Sequence, residues 1–374
     1  MNPLRGAAKI LVDARGAWGS GIGRYVANTV PLVADAMPTV LFELLVHIDD
    51  EAGAQALVQG RTNLSVALSN VRPFSVREQV DMPRRLGGYD LVWFTNYWVP
   101  MAFSGSFVVV VHDMIHQEPT LFPASWAKRT LSYMTFRHVA AHAKAICFGS
   151  RFSQREFERR FKTGAQRLVT GYGIDHNGWQ AFDPQRPPAK KPHVLIVAAA
   201  KKHKNFKIAL DAFAHANVAP HWQLTIITPN DALRSSIDLA SLSLGARNVV
   251  FRQGVTNDEL RAIYGETAIL LMPSLYEGFG LPLAEGLQAG AACISSTAQS
   301  LVELGQGAVV TYVNGNDPNG WVHAIEMECA RFDAADGHEA TAMVKNMRHV
   351  LQFRWQGVAD RTVAMLSQQL TAKL

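Results

Sequence analysis

Short apolar runs alternate along this chain with longer segments of helical spacing. In the first half the runs fall at residues 9–13, 40–47, 90–94, 107–111 and 145–148, and in the second at 193–200, 224–227, 249–251 and 270–272. The run Phe107-Val108-Val109-Val110-Val111 has no polar alternation, which predicts a central parallel strand covered on both faces. Helical spacing follows the first strand through residue 32 and recurs at 126–143, from 152, and at 207–216, 258–264, 281–287 and 358–370. Ser150 is placed to cap the helix that starts near Phe152. Strand and helix alternate in both halves, so the expectation is α/β with two doubly wound, Rossmann-like domains facing one another across a cleft. Between the halves lies Phe182-Asp183-Pro184-Gln185-Arg186-Pro187-Pro188-Ala189-Lys190-Lys191-Pro192, whose prolines and charges mark a linker. The expected boundaries are 1–183 for the first domain, 184–192 for the linker, 193–350 for the second domain and 351–374 for a terminal helix.

Composition supports that division. A chain of 374 residues exceeds one ordinary domain, and 48% hydrophobic with 18% charged residues can bury two cores. The formal net charge of +5 suits anionic ligands or an anionic membrane surface and is too weak to argue for nucleic acid. Residues 1–15 lack a signal-peptide core, and no apolar run approaches the ~20 residues of a spanning helix. Cys147, Cys293 and Cys329 are scattered, as expected of reduced, buried thiols in a cytoplasmic protein, soluble or peripheral at the inner membrane face.

The chemistry concentrates at 270–287. A buried strand ending in Pro273-Ser274 feeds a loop with Gly278 and Gly280, then a helix from Leu281, and such a junction offers backbone N–H groups and a positive dipole end to an anion. Glu277 and Glu285, with seven residues between them, cannot hold phosphate and suit hydroxyl groups. Together they point to a ligand with both phosphates and vicinal hydroxyls, such as a nucleotide sugar; the plainer alternative is a dipole partner and a solvated helix residue. A second glycine loop, Gly19-Ser20-Gly21-Ile22-Gly23-Arg24, places Arg24 where a dinucleotide fingerprint needs its third glycine, which disfavours a nicotinamide cofactor. Here the alternative is a tight turn needing glycine for packing alone. A cation cluster, Lys201-Lys202-His203-Lys204, lies between a strand end and a helix start, where diphosphate would bind. His112 and Asp113 end the central strand. His112 with His116 lacks a third ligand, His138 with His142 lacks the intervening Glu of a zinc protease and reads as a surface pair, and no Asp-x-Asp occurs, so no metal is expected.

Several of these words together resemble the retaining GT-B glycosyltransferases of family four: Pro273-Ser274-Leu275-Tyr276-Glu277-Gly278-Phe279-Gly280-Leu281-Pro282, Lys204-Asn205, His112-Asp113-Met114, and Ser20-Gly21-Ile22-Gly23-Arg24-Tyr25 after Asp13-Ala14-Arg15. The last is similar to the N-terminal loop of a branch rich in polysaccharide and O-antigen mannosyltransferases. The resemblance implies a GT-B fold and retaining hexosyl transfer without cofactor or metal. It gives Glu277 and His112 positions beside the reacting sugar. Donor contacts would come from Gly21 and Gly23, from Lys201 and Lys204, from Gly254 and Val255 near the nucleobase, from Phe279, Gly280 and Leu281, and from Glu285 on the ribose. It also implies a terminal helix crossing back to the first domain. Where many members carry a glycine and an arginine, this chain has Ala198 and Ala199, so Lys201 or Lys202 would replace the missing cation. The expected reaction moves mannose from GDP-mannose to a lipid-linked or oligosaccharide acceptor, the alternatives being a UDP-sugar donor or a non-catalytic binding protein. Membrane contact is expected on the helix from Phe152, where Arg151, Arg155, Arg159 and Lys162 share a face flanked by Phe152 and Phe161; a merely solvated face is the alternative.

Overall fold

The computed structural model describes residues 6–19, 21–176, 189–199, 201–228, 248–334 and 338–371. Its contacts divide the chain into a first unit, Met1–Gln117, Ala124–Gly173 and Phe353–Leu374, and a second, Glu118–Pro123 and Ile174–Gln352. Residues 184–188 of the expected linker lie outside the described residues.

The first unit holds a seven-stranded parallel sheet: β1 (Lys9–Asp13), β2 (Leu41–His47), β3 (Leu64–Ser69), β4 (Leu91–Phe94), β5 (Phe107–Val111), β6 (Ala145–Phe148) and β7 (Gln166–Val169), ordered β3-β2-β1-β4-β5-β6-β7. β5 lies inside the sheet and is wholly buried, as its unbroken β-branched run requires. The helices are α1 (Gly21–Ala36), α2 (Glu51–Val58), α3 (Val76–Leu86), α4 (Trp126–His142) and α5 (Arg151–Arg160). The chain's terminal helix, Trp355–Thr371, also belongs here and packs on α1. Ser150 does cap α5, its hydroxyl accepting the Ser153 N–H at 3.1 Å.

The expected membrane face on α5 needs correction. Phe152 and Phe161 are buried, and Phe161 packs with Phe136 and Phe157 in the core, so neither ring is available to a lipid surface. Of the cations, Arg159 and Arg160 both pair with Glu156, and Arg167 pairs with Glu158.

The second unit has a six-stranded parallel sheet: β8 (Lys191–Val197), β9 (Gln223–Ile227), β10 (Asn248–Arg252), β11 (Thr267–Met272), β12 (Ala292–Ser296) and β13 (Val310–Val313), ordered β10-β9-β8-β11-β12-β13. Its helices are α6 (Phe206–His215), α7 (Asn257–Glu266), α8 (Leu281–Ala289), α9 (Gln299–Leu304), α10 (Pro318–Asp333) and α11 (His338–Val350), and the Trp355–Thr371 helix of the first unit is α12. Cys147, Cys293 and Cys329 are free thiols buried in the two units.

In each sheet the winding reverses once, between β1 and β4 in the first unit and between β8 and β11 in the second. Helices leave on opposite faces at such a point, which opens a crevice at the carboxyl ends of the two strands. These two places position the candidate residues.

Candidate functional site

In the second unit, the loop after β8 carries Lys201 to Asn205 and the loop after β11 carries Glu277 to Gly280, so the two motifs flank the switch point. They are tied together. The Leu275 N–H donates to the His203 carbonyl at 2.7 Å, and Lys204 Nζ donates to both Glu277 oxygens at 2.7 and 2.9 Å. Asn205 adopts a left-handed backbone, φ 49°, and its amide donates to the Gly315 carbonyl at 2.7 Å. Asparagine is among the few non-glycine residues that accept that conformation, so Asn205 shapes the turn that presents Lys204.

The start of α8 has limited donor capacity. Gly280, with φ 104°, is its N-cap and sits so close to Leu301 that a side chain there would collide. Pro282 has no N–H, and the N–H groups of Leu283 and Ala284 both go to the Gly280 carbonyl. Of the first-turn amides, that of Leu281 is the one the helix itself does not engage. Glu285 follows in the second turn and is buried, 7% exposed, which excludes the solvated-helix alternative for that residue. Phe279, in the loop before α8, is buried too. Lys201 and Lys202 are exposed at the rim of the β8 loop. Gly254, φ 60°, and half-buried Val255 turn out of β10, the outermost strand, two strands from β8 and thus roughly 10 Å away along the same sheet edge.

In the first unit, His112 at the end of β5 joins Thr95, after β4 at the switch point, to Tyr172, after the edge strand β7. Its Nε2 lies 2.7 Å from the Thr95 carbonyl and so must carry the proton, while Nδ1 accepts from the Tyr172 hydroxyl at 2.5 Å. Thr95 in turn donates its N–H and hydroxyl to the Asp13 carbonyl at 3.1 and 2.8 Å. Both ring nitrogens are thus occupied, and burial lowers the imidazole pKa to about 4, so His112 is a fixed neutral ring at neutral pH. Tyr25 packs edge-on against it, and Trp355 of α12 packs against Tyr25 and Tyr172. Asp113 accepts the Ile115 N–H at 2.9 Å, a contact within its own loop.

The N-terminal glycines divide. Gly21 opens α1 and is exposed. At Gly23 a side chain would come within 2.8 Å of the Ala17 carbonyl, so close packing by itself requires glycine there. Ser20 lies outside the described residues. The loop is anchored by Arg15, whose buried guanidinium bonds Asp13, Glu78 and the Val71 carbonyl. Sequence reasoning missed Tyr172, Thr95 and Glu78. Only Glu78 left a local signal, as Ser75-x-x-Glu78 has the capping-box spacing and Ser75 Oγ does accept the Glu78 N–H at 3.1 Å. Among the described residues no group of three or more His, Cys, Asp or Glu is placed to hold a metal ion.

Residues 178–326, all within the second unit, match the family model described as glycosyl transferases group 1. Over 344 residues the chain is 24% identical to the MMP alpha-(1->4)-mannosyltransferase of Mycolicibacterium hassiacum, covering 83% of this chain and 78% of that protein. It is also 24% identical over 286 residues to the O-antigen chain mannosyltransferase B of Escherichia coli, covering 72% and 71% respectively. Among solved structures it is similar to sucrose-phosphate synthase from Thermosynechococcus elongatus, with TM-score 0.75, 19% identity, and coverage of 98% of this chain and 100% of that one. Anabaena HepE in complex with UDP and glucose superposes with TM-score 0.73 at 16% identity, over 96% of this chain and 100% of that one. The two parallel-sheet Rossmann-like domains therefore form the GT-B fold.

Proposed function

We propose that this chain is a retaining glycosyltransferase that moves mannose from GDP-mannose to a lipid-linked or oligosaccharide acceptor in bacterial surface polysaccharide assembly, without a metal. The observation that carries the reading is the convergence of Lys204, Glu277 and the start of α8 at one switch point, with Glu285 buried a turn further on. Lys204 and the Leu281 N–H would face the diphosphate, Glu277 the hydroxyls of the sugar, and Glu285 the ribose hydroxyls. In the transfer, the bond from the anomeric carbon to the diphosphate oxygen breaks and the bond to the acceptor oxygen forms on the same face. The departing diphosphate takes the acceptor's proton, so no side chain is asked to be a nucleophile. In the first unit His112, neutral and held at both nitrogens, would not move a proton. The mannosyltransferase names of the two relatives support the choice of sugar. The UDP and glucose bound in HepE favour, as a second reading, a UDP-sugar donor on the same site.

Thermal unfolding with GDP-mannose, UDP-glucose, UDP-GlcNAc and the free nucleotides tests the donor, since a ligand at about 100 times its Kd stabilises the folded state by about 2.7 kcal/mol. GDP-mannose is expected to give the largest shift, and incubation with an acceptor is expected to give an α-linked product by NMR. A β-linked product, or a shift with UDP-sugars alone, overturns the mechanism or the donor respectively.

A further inference from the structure

α4 presents an outer face that the transfer chemistry does not use. Its inner face, Ser132, Thr135, Phe136, Val139 and Ala140, is buried. On the other side Trp126 is 79% exposed, Tyr133 44% and Met134 41%. These are three of the ten large hydrophobic side chains exposed among the described residues, and they lie with Arg137 at spacings of seven, one and three, which is one helical face. Single exposed apolar residues are ordinary, but three on one helix are a patch. The helix has no acidic residue, and Arg129 and Arg137 border that face, whereas Lys128 lies about 200° round the helix from Trp126. Tyr133 packs against Phe161, ring centres 5.2 Å apart, so the face runs on to exposed Lys162 beyond α5.

We propose that this α4 face docks on an anionic lipid bilayer. Tryptophan and tyrosine among cations are the side chains that settle at the boundary between headgroups and acyl chains, and a convex helix face without acid matches a flat anionic surface. The same features disfavour α5, whose phenylalanines are buried and whose last-turn arginines are paired with Glu156. Arg129, Arg137 and Lys162 contribute about fivefold in affinity each, so attachment is reversible and falls as salt screens it. The inference does not depend on the transfer reaction, because its readout is binding.

The test is co-sedimentation of the full chain with phosphatidylcholine vesicles, with and without phosphatidylglycerol, across a salt series. The wild type is expected to pellet with the anionic vesicles at low salt and to be released at high salt. Trp126→Ser and the pair Arg129→Glu with Arg137→Glu are expected to lose about tenfold or more, with thermal unfolding confirming the fold, whereas Arg151→Glu with Arg155→Glu on α5 should retain most binding. No pelleting at low salt overturns the proposal. So does an equal loss from the α4 and α5 reversals, which would mean attraction by net charge, or vesicle binding unchanged in the α4 variants, which would leave that face to a protein partner.

Discussion

Lys204 and Glu277, 73 positions apart in the chain, meet as a two-oxygen ion pair with side chains only 21% and 10% exposed. The pair locks the loop after β8 to the loop after β11 before any ligand arrives. A diphosphate approaching Lys204 therefore competes with a carboxylate already in place, and the gain on binding is the difference between two charge-assisted contacts.

The pair gives the first prediction. Lys204→Ala and Glu277→Ala should each cost about 1–3 kcal/mol of stability, and the double variant less than their sum, because either single change leaves the other charge uncompensated. Their ligand effects should part: Lys204→Ala and Glu285→Ala weaken donor binding, by about tenfold or more, while Glu277→Ala mainly removes turnover. Calorimetric titration beside steady-state kinetics separates the two. Wild-type behaviour in both glutamate variants would remove the central claim.

A second prediction concerns metal. In the proposed reaction the charge on the leaving diphosphate would fall to Lys204, to the Leu281 N–H and to the rim lysines Lys201 and Lys202, so turnover should survive EDTA. A loss on chelation that manganese or magnesium restores would refute it.

The third concerns pH. Burial lowers His112 from 6.5 to about 4, and His193, held between the Thr225 and Thr267 hydroxyls, likewise to about 4. A histidine whose folded pKa is depressed takes up its proton more readily when unfolded, so its share of stability is intact above 6.5 and lost as pH falls toward 4. For His112 a displacement of that size corresponds to about 3 kcal/mol. The stability difference between wild type and His112→Gln should therefore change across pH 4–6.5, read by urea unfolding, and stay constant above 7. A difference independent of pH would contradict the buried, neutral ring.

The strands were legible where hydrophobicity was unbroken, as in β5 and β11, and the β8 and β11 loops where glycine and cations punctuate strand ends. β3, α2 and α3 were not. β3 reads Leu-Ser-Val-Ala-Leu-Ser, with serines diluting the run, and α3 is so polar that its buried Glu78 looks like surface. Tyr172 and Thr95 were invisible for a different reason: they reach His112 from 60 and 17 positions away, and no local pattern encodes contacts between the ends of different strands. Phe152 and Phe161 misled because a phenylalanine beside arginines fits a lipid-facing helix and a core-facing one equally well.

The last prediction rests on Arg15, which lies between two carboxylates, 2.7 Å from Asp13 and 2.8 Å from Glu78, all three nearly without solvent contact. Glu78 also accepts the Phe74 N–H at 2.7 Å, and Phe74 has a left-handed backbone, φ 60°, that a bulky residue seldom adopts. The triad thus fixes two loops at the carboxyl edge of the first sheet, the one before α1 and the one before α3. Arg15→Met would strand two buried carboxylates and should cost about 3–5 kcal/mol. Glu78 responds to pH in the opposite sense to His112. Burial raises its pKa from 4.5 to about 7 against the pull of Arg15, so its contribution is present below 4.5 and lost as pH rises through 7. Glu78→Gln keeps an acceptor for Phe74 and cannot ionise, so relative to wild type it should gain up to about 3 kcal/mol between pH 4.5 and 8. Urea unfolding at the two ends of that range measures it. An equal difference at both would mean that Glu78 ionises as an ordinary carboxylate and that Arg15 fully compensates both acids.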